Sequence, residues 1–353
     1  MINIHNNREV EHDDVFGKSF ALYDRPAMEE FVGFFRQRFA ANGIDPRSAF
    51  EGKRCLDAGC GNGRGAIFML ANGAAHVTAA DISATNIAST AKNLEEFGFR
   101  NFACKQTSLE KLPAPDNEFD FVWCNGVVMH THNPDACLAE LARVLKLGGK
   151  AWIYVYGSGG VYWYAVRRFR EIVSGIAADR CIAALRLLGY APRYVAEYLD
   201  DWKVPYLRTY TDADFGTRLA DMGFDRSAPL PRGVAYDTSE RRTRYPTDAH
   251  WMGEGDLRYH LTKVGGGSKN GTPLSAAEYG SDVEFDPRIL QRFVSRFDRL
   301  QHAVSGDPIA SLAACGRIQY RLRELMSQEG PLDLDLWEET IDEVVGLVEK
   351  ARG

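Results

Sequence analysis

The chain has 353 residues, 45% of them hydrophobic and 25% charged, which supplies a large globular core and excludes wholesale disorder or a fibrous protein. Lys and Arg number 42 against 48 Asp and Glu, a formal net charge of −6 that argues against a chain-wide cationic surface for nucleic acid or anionic lipid. The length exceeds one ordinary domain, so a main domain with additions is expected. Cys55, Cys60, Cys104, Cys124, Cys137, Cys181 and Cys315 form an odd set without a C-x-x-C pair, and several lie in apolar runs. That pattern fits a reducing compartment rather than a disulfide scaffold. Residues 1–14 are polar where a signal peptide is apolar, and no apolar run approaches about 20 residues. A cytoplasmic protein with no membrane span is the expectation.

In chain order, Met28, Phe31, Phe34, Phe35 and Phe39 fall at helical spacing and predict an amphipathic helix over residues 26–41. Cys55 to Ala58 reads as a short strand running into glycines, with helical spacing resuming from Arg64 to Ala71. His76 to Asp81 is a second strand, followed by a helix that Ser83 opens and Gly98 closes. Strands follow at 102–105, 119–124 and 150–156, with a helix over 134–146 before the last. This alternation predicts a parallel sheet covered on both faces. Beyond Gly157 it stops. Residues 161–190 are largely helical in pattern, Thr211 caps a helix over 212–222, and 257–264 reads as a late strand. Gly265 to Gly271 is the best linker. Past it, Arg288, Arg292, Arg296 and Arg299 lie at helical spacing, and an acidic segment contains Asp335, Glu338, Asp342 and Glu343. Helices whose opposite charges face one another would make a small terminal bundle.

The glycines in Asp57-Ala58-Gly59-Cys60-Gly61-Asn62-Gly63 let backbone N–H groups approach a ligand at the carboxyl ends of the strands. Asp81, ending the next strand, is placed to accept both hydroxyls of a ribose. Gly61, Gly63 and Ala66 also satisfy the G-x-G-x-x-A pattern of nicotinamide enzymes, so the loop alone leaves the ligand open. Later segments decide. The loop resembles motif I of class I S-adenosylmethionine-dependent methyltransferases, and Asp81-Ile82-Ser83 looks like their ribose-binding strand end. Ser108 to Pro113 with Pro115 to Asp120 is similar to the family's adenine loop and fourth strand. Cys124 to Thr131 and Arg143 to Lys150 match the segments that follow. The resemblance covers residues 53–157, and Thr211 to Phe224 extends it.

That resemblance implies a Rossmann-like α/β fold: a doubly wound, mostly parallel sheet with a helical lid insertion and a C-terminal helical appendage. The expected divisions are an N-terminal helical cap (1–52), a donor-binding core (53–157), the lid (158–206), completion of the sheet (207–264) and the C-terminal helices (275–353). It implies S-adenosylmethionine held by Asp57, Gly59, Cys60, Gly61, Asp81, Ile82, Ser108, Leu109, Asn125 and Gly126. Ser108 stands where relatives often have Asp, and Met129-His130 where many have a His pair. No metal is expected: His130-Thr131-His132 has no third ligand at a recognisable spacing.

The sulfonium already activates the methyl group, so the protein must align it with a nucleophile. A base is needed only for an acceptor that arrives protonated, and His130 is the best-placed candidate, its alternative being a packed histidine bonded to a loop carbonyl. Tyr156, Trp163, Arg208 and Tyr210 are candidate acceptor contacts. Phe16, Phe20 and Tyr23 read as packing or as a lid over the donor. Arg241 to Arg244 with His250-Trp251 reads either as a grip on an anion or as a solvated loop. The expected reaction is methylation of an oxygen or nitrogen on a small-molecule acceptor. The alternatives are an RNA or DNA methyltransferase, which the acidic balance disfavours, a nicotinamide oxidoreductase, and a non-catalytic donor-binding scaffold. A homodimer through the C-terminal helices is a further expectation.

Overall fold

The computed structural model describes residues 13–266 and 287–352; the polar leader and most of the glycine linker fall outside the described residues. Six strands form one sheet: β1 (Arg54–Ala58), β2 (His76–Asp81), β3 (Phe102–Gln106), β4 (Phe119–Asn125), β5 (Leu145–Tyr156) and β6 (Asp256–Thr262). Their order is β3-β2-β1-β4-β5-β6, with the first five parallel and β6 antiparallel to β5. The fold is thus Rossmann-like, doubly wound and mostly parallel. The order reverses between β1 and β4, and there the crevice opens.

Strand alternation sorts the side chains into two cores. Phe121 and Trp123 of β4 and Trp152 of β5 turn to the face covered by α1 (Arg25–Ala41) and α2 (Arg64–Ala71), packing with Phe35, Phe39, Phe50 and Phe68. Trp123 stacks on Trp152 at 5.2 Å. Val122, Cys124, Ala151 and Ile153 turn to the opposite face, and Leu94 of α3 (Ala84–Glu96) returns to the first. That opposite face is covered by Leu138 and Leu141 of α4 (Pro134–Val144). Asp24, Ser83 and Asn133 cap α1, α3 and α4 by accepting from backbone N–H groups.

Two boundaries differ from the sequence reading. The helix expected to reach residue 146 ends at Val144, because Leu145 already pairs with Phe119 across the sheet. Residues 146–149 then bulge before pairing resumes at Lys150. The helical stretch expected over 161–190 is broken into α5 (Gly160–Val173) and α6 (Ala178–Leu187), followed by α7 (Pro192–Lys203). Helix α8 (Asp212–Asp221), capped by Thr211, leads through α9 (Thr238–Arg244) to β6.

The C-terminal helices are α10 (Pro287–Val304), α11 (Pro308–Ser327) and α12 (Leu334–Arg352). Their charges meet as expected: Arg292 pairs with Asp335 and Glu338, Arg296 with Glu338 and Asp342, Arg299 with Asp342 and Glu349. The appendage is more apolar inside than its charge indicated. Phe293, Phe297, Ile318 and Trp337 share a third core with Val161, Phe169, Leu199 and Trp202 of the lid. The expected terminal bundle thus forms, and its helices bury apolar side chains against the lid. Among the described residues, no helix is long and apolar enough to cross a membrane.

Candidate active site

The glycine loop leaves β1 and is strapped to β2: Gly59 and Cys60 donate to Ala80 O at 2.8 and 3.0 Å. Gly61 has φ +55° and donates its N–H to Asp81 Oδ2 at 2.9 Å. Asp81 Oδ1 accepts from Ser83 N at 2.9 Å and from Asn86 Nδ2 at 3.3 Å. Thr90 Oγ1 donates to Gly61 O at 2.8 Å. A Cβ on Gly59 would lie 2.5 Å from Val127, and one on Gly61 2.9 Å from Phe20, so neither position has room for a side chain. Asp57 sits beneath the loop, buried, with Oδ2 accepting from Ala66 N at 2.7 Å. Burial, reinforced by the negative charge of Asp81, pushes its carboxyl up to about 7. Asp57 thus shapes the loop and does not line the cavity.

Above the loop lies a cavity of about 390 Å³, within the range of small-molecule sites. Gly59, Cys60, Gly61, Asp81, Ile82, Ser108, Leu109, Asn125 and Gly126 all line it, as do His130, Tyr156 and Trp163. Phe16, Phe20 and Tyr23 of the N-terminal segment wall one side, Asp200 and Asp201 of α7 another, and Arg323 and Met326 of α11 the far end. The N-terminal aromatics are therefore cavity walls. Arg208 and Tyr210 do not line it. Arg208 donates to the carbonyls of Thr131 and His132, and Tyr210 is buried against Phe215. Both hold the loops behind the site, a correction to their expected acceptor contact.

His130 is 2% exposed and both its ring nitrogens face protein groups. Nδ1 lies 2.8 Å from Tyr206 O, and since a carbonyl only accepts, Nδ1 must carry a proton. Nε2 lies 3.2 Å from Asp200 Oδ1. Asp200 Oδ2 accepts from Tyr156 Oη at 2.5 Å. Burial lowers His130 to about 4 and raises Asp200 to about 7. Neither Nε2 nor Asp200 Oδ1 has a hydrogen-bond partner, so the two are in close contact without a shared proton, and burial leaves His130 neutral beside a carboxyl raised to about 7. Asp201 is the second buried acid of α7. It accepts from Tyr162 Oη at 2.6 Å and from Gln319 Nε2, and burial lifts it to about 7.

The sequence reading missed Asp200, Asp201 and Arg323. One signal was available: Asp201 falls on the apolar stripe of α7 with Tyr194, Tyr198 and Trp202, where an acid must be partnered. The basic stretch is helical and only partly solvated: Thr243, Arg244 and His250 are exposed, but Arg241 and Trp251 are buried. Arg241 is 2% exposed and donates to Asp248 and to the carbonyls of Met326, Gln328 and Gly330. Trp251 packs on Phe293 and Trp337. Through Arg241 and Trp251 the segment pins the C-terminal helices to the sheet domain.

A family model described as a methyltransferase domain matches residues 56–153. The ubiquinone biosynthesis O-methyltransferase of Parvibaculum lavamentivorans is 35% identical over 227 residues, 63% of this chain and 79% of that one. The 27-O-demethylrifamycin SV methyltransferase of Amycolatopsis mediterranei is 31% identical over 157 residues, 40% of this chain and 55% of that one. Sterol 24-C-methyltransferase ERG6B of Gibberella zeae is 26% identical over 185 residues, 48% of this chain and 49% of that one. The chain spans about half the length of the last two relatives. A doubly wound sheet with a glycine loop and an acid ending the next strand at its switch point is the architecture of a nucleoside-binding α/β protein. With these likenesses, the chain belongs to the class I S-adenosylmethionine-dependent methyltransferase family.

Proposed function

We propose that the chain transfers a methyl group from S-adenosylmethionine to an oxygen or nitrogen of a small-molecule acceptor. The observation that carries this reading is the single cavity running from the glycine loop to the lid helix α7, walled by the N-terminal segment, the lid and α11. A macromolecular acceptor calls for an open basic face, whereas this cavity is small and ringed by aromatic side chains.

The site's own features fit the donor. Gly59 and Gly61 leave bare backbone where any side chain would intrude, and the carboxylate of Asp81 lines the cavity beside them. Asp81 would take the ribose hydroxyls, Ile82 and Leu109 would flank the adenine, and Gly126 with Asn125 would close the methionine end. When bound, S-adenosylmethionine supplies a methyl group already activated as a sulfonium. The chain's contribution is alignment, exclusion of water and uptake of a proton. Tyr156, Trp163 and Phe16 present aromatic faces that attract a cation.

The role assigned to His130 changes in this reading. With Nδ1 engaged by the Tyr206 carbonyl, His130 packs beside Asp200, its Nε2 3.2 Å from Oδ1, and the carboxylate of Asp200 takes the proton that leaves the acceptor as the new bond to carbon forms. Tyr156 fixes the other carboxylate oxygen. Incubation with tritiated-methyl donor and fractionated extract should label small molecules and leave added RNA unlabelled. A calorimetric titration in which S-adenosylhomocysteine fails to bind while NAD binds would overturn the proposal.

A further inference from the structure

The lid end of the cavity is short of hydrogen-bond donors and of positive charge. Asp200 and Asp201 both line it from α7. Among the described residues, no lysine or arginine forms an ion pair with either acid. The nearby cations are engaged elsewhere. Arg323 pairs with Glu197, Arg193 pairs with Glu30, and Arg170 donates to the carbonyls of Asp201 and Val204. Arg64, whose charge also reaches Asp200, lies among the rings of Phe20, Tyr23 and Phe31. The donors that do bond to the two acids are neutral: Tyr156 Oη to Asp200 at 2.5 Å, Tyr162 Oη to Asp201 at 2.6 Å, and Gln319 to Asp201. Two acceptors stay unsatisfied. His130, 2% exposed, carries its proton on Nδ1, so Nε2 offers a lone pair. That atom faces Asp200 Oδ1 at 3.2 Å, and neither has a hydrogen-bond partner.

Two acceptors face to face repel unless a donor serves them, and a buried carboxylate without a cation loses its hydration uncompensated. Burial accordingly lifts both acids to about 7. Aromatic faces stand around them, with the hydroxyls of Tyr156 and Tyr162 already spent on the acids. The ring centres of Tyr156 and Tyr162 each lie 5.1 Å from that of Trp163, and His130 lies 5.5 Å from Tyr156. Such faces attract a cation, and ionised carboxylates add charge-assisted hydrogen bonds to it. A carboxylic acid would bring more negative charge and more acceptors. An alcohol or phenol brings one donor and no charge. A primary ammonium brings three donors and a full positive charge, the complement of this wall.

We propose that the methyl acceptor is an amine, which enters as an ammonium and is held by Asp200, Asp201 and the rings of Tyr156, Tyr162 and Trp163. The inference rests on the methyl-transfer reading and narrows its acceptor to nitrogen. The carboxylate of Asp200 takes one N–H proton, which frees the nitrogen lone pair. That pair forms the bond to the methyl carbon as the carbon–sulfur bond breaks and its electrons stay on sulfur. The products are the methylated ammonium and S-adenosylhomocysteine, and the proton on Asp200 passes to water. Asp201 supplies the counter-charge throughout.

Calorimetry on the full chain saturated with S-adenosylhomocysteine tests the charge preference, with benzyltrimethylammonium, benzyl alcohol and benzoate as probes that share one ring. The cation should bind about tenfold more tightly than the alcohol, and benzoate more weakly than either. Asp201→Asn should shrink the cation's advantage to about threefold or less while S-adenosylhomocysteine affinity stays within about twofold. The proposal is overturned if the cation fails to bind, if the alcohol or benzoate binds as tightly, or if the advantage is unchanged in Asp201→Asn. A loss in that variant confined to S-adenosylhomocysteine also overturns it, because the acids would then serve the donor. The reaction product gives a second, independent readout from the unaltered chain. Tritiated methyl transferred to fractionated extract should appear in compounds that a cation exchanger retains at pH 7 and that survive mild base. Label in neutral compounds or base-labile esters overturns the inference and leaves the methyl-transfer reading standing. If S-adenosylhomocysteine does not bind the unaltered chain, that reading falls and takes the inference with it.

Discussion

The two walls of the cavity are built by different means. The glycine-loop wall is made mostly by backbone within one β-α-β unit, and its defining contact joins Gly61 to Asp81, twenty positions apart. The opposite wall is made by side chains brought from distant segments. Tyr162 meets Asp201 across 39 positions, and Trp202 meets Gln319 across 117, at 2.6 Å. Local backbone geometry leaves a short, readable motif, whereas a wall assembled at long range leaves isolated polar residues on otherwise apolar helices. The first wall suits a ligand common to a family, and the second can differ in each member.

Substitutions on the two walls should separate donor binding from turnover. The largest effect is expected on the lid side, where Asp200→Asn should lower kcat about a thousandfold while S-adenosylhomocysteine affinity stays within a few fold. Because the base form of Asp200 is the deprotonated one and its carboxyl sits at about 7, the rate of the unaltered enzyme should rise with pH through about 7 and then level off. The residual activity of the variant should lose that rise. A profile unchanged by the substitution would assign the proton to another group.

Next in size is Arg241→Ala, which strips a buried cation from Asp248 and three carbonyls. Chemical denaturation should register a loss of about 3–5 kcal/mol, since Asp248 would be left buried and unpaired. If α10 to α12 are a separable attachment, limited proteolysis of this variant should release them while the residues of the glycine loop stay protected. Smaller again, Asp81→Ala should weaken S-adenosylhomocysteine about a hundredfold through the lost ribose contacts and the slackened Gly61 turn. An affinity within threefold of the original would mean that the ribose lies elsewhere.

The smallest effect concerns Asp201. Burial raises its carboxyl to about 7, above the unfolded value, so its contribution to stability is complete at low pH and is lost as pH rises toward 7. Asp201→Asn should therefore gain on the original chain as pH rises, by about 1–3 °C in Tm at pH 8 and by clearly less at pH 5. An equal shift at both pH values would remove titration as the cause.

The same contrast explains what the sequence disclosed. The sheet, the capped helices and the residues around the glycine loop follow from period, capping and turn chemistry, each set by neighbours in the chain. Asp200 could not be ranked above its neighbour Asp201, because only the tertiary approach of His130 and Tyr156 separates their roles. Arg64 read as an ordinary first-turn residue of α2, because nothing local shows that three aromatic rings surround it. Arg241 looked solvated because four basic or polar residues in a row usually are, yet its three carbonyl partners lie more than eighty positions away.

Arg323 and Met326 reach the cavity from a helix that begins 46 residues after β6 ends, at Pro308. A chain that drifted only in this tail would keep its grip on the nucleoside while altering the shape offered to its other guest. New guests are then within reach of edits to these terminal helices, with the glycine loop and its neighbours left untouched.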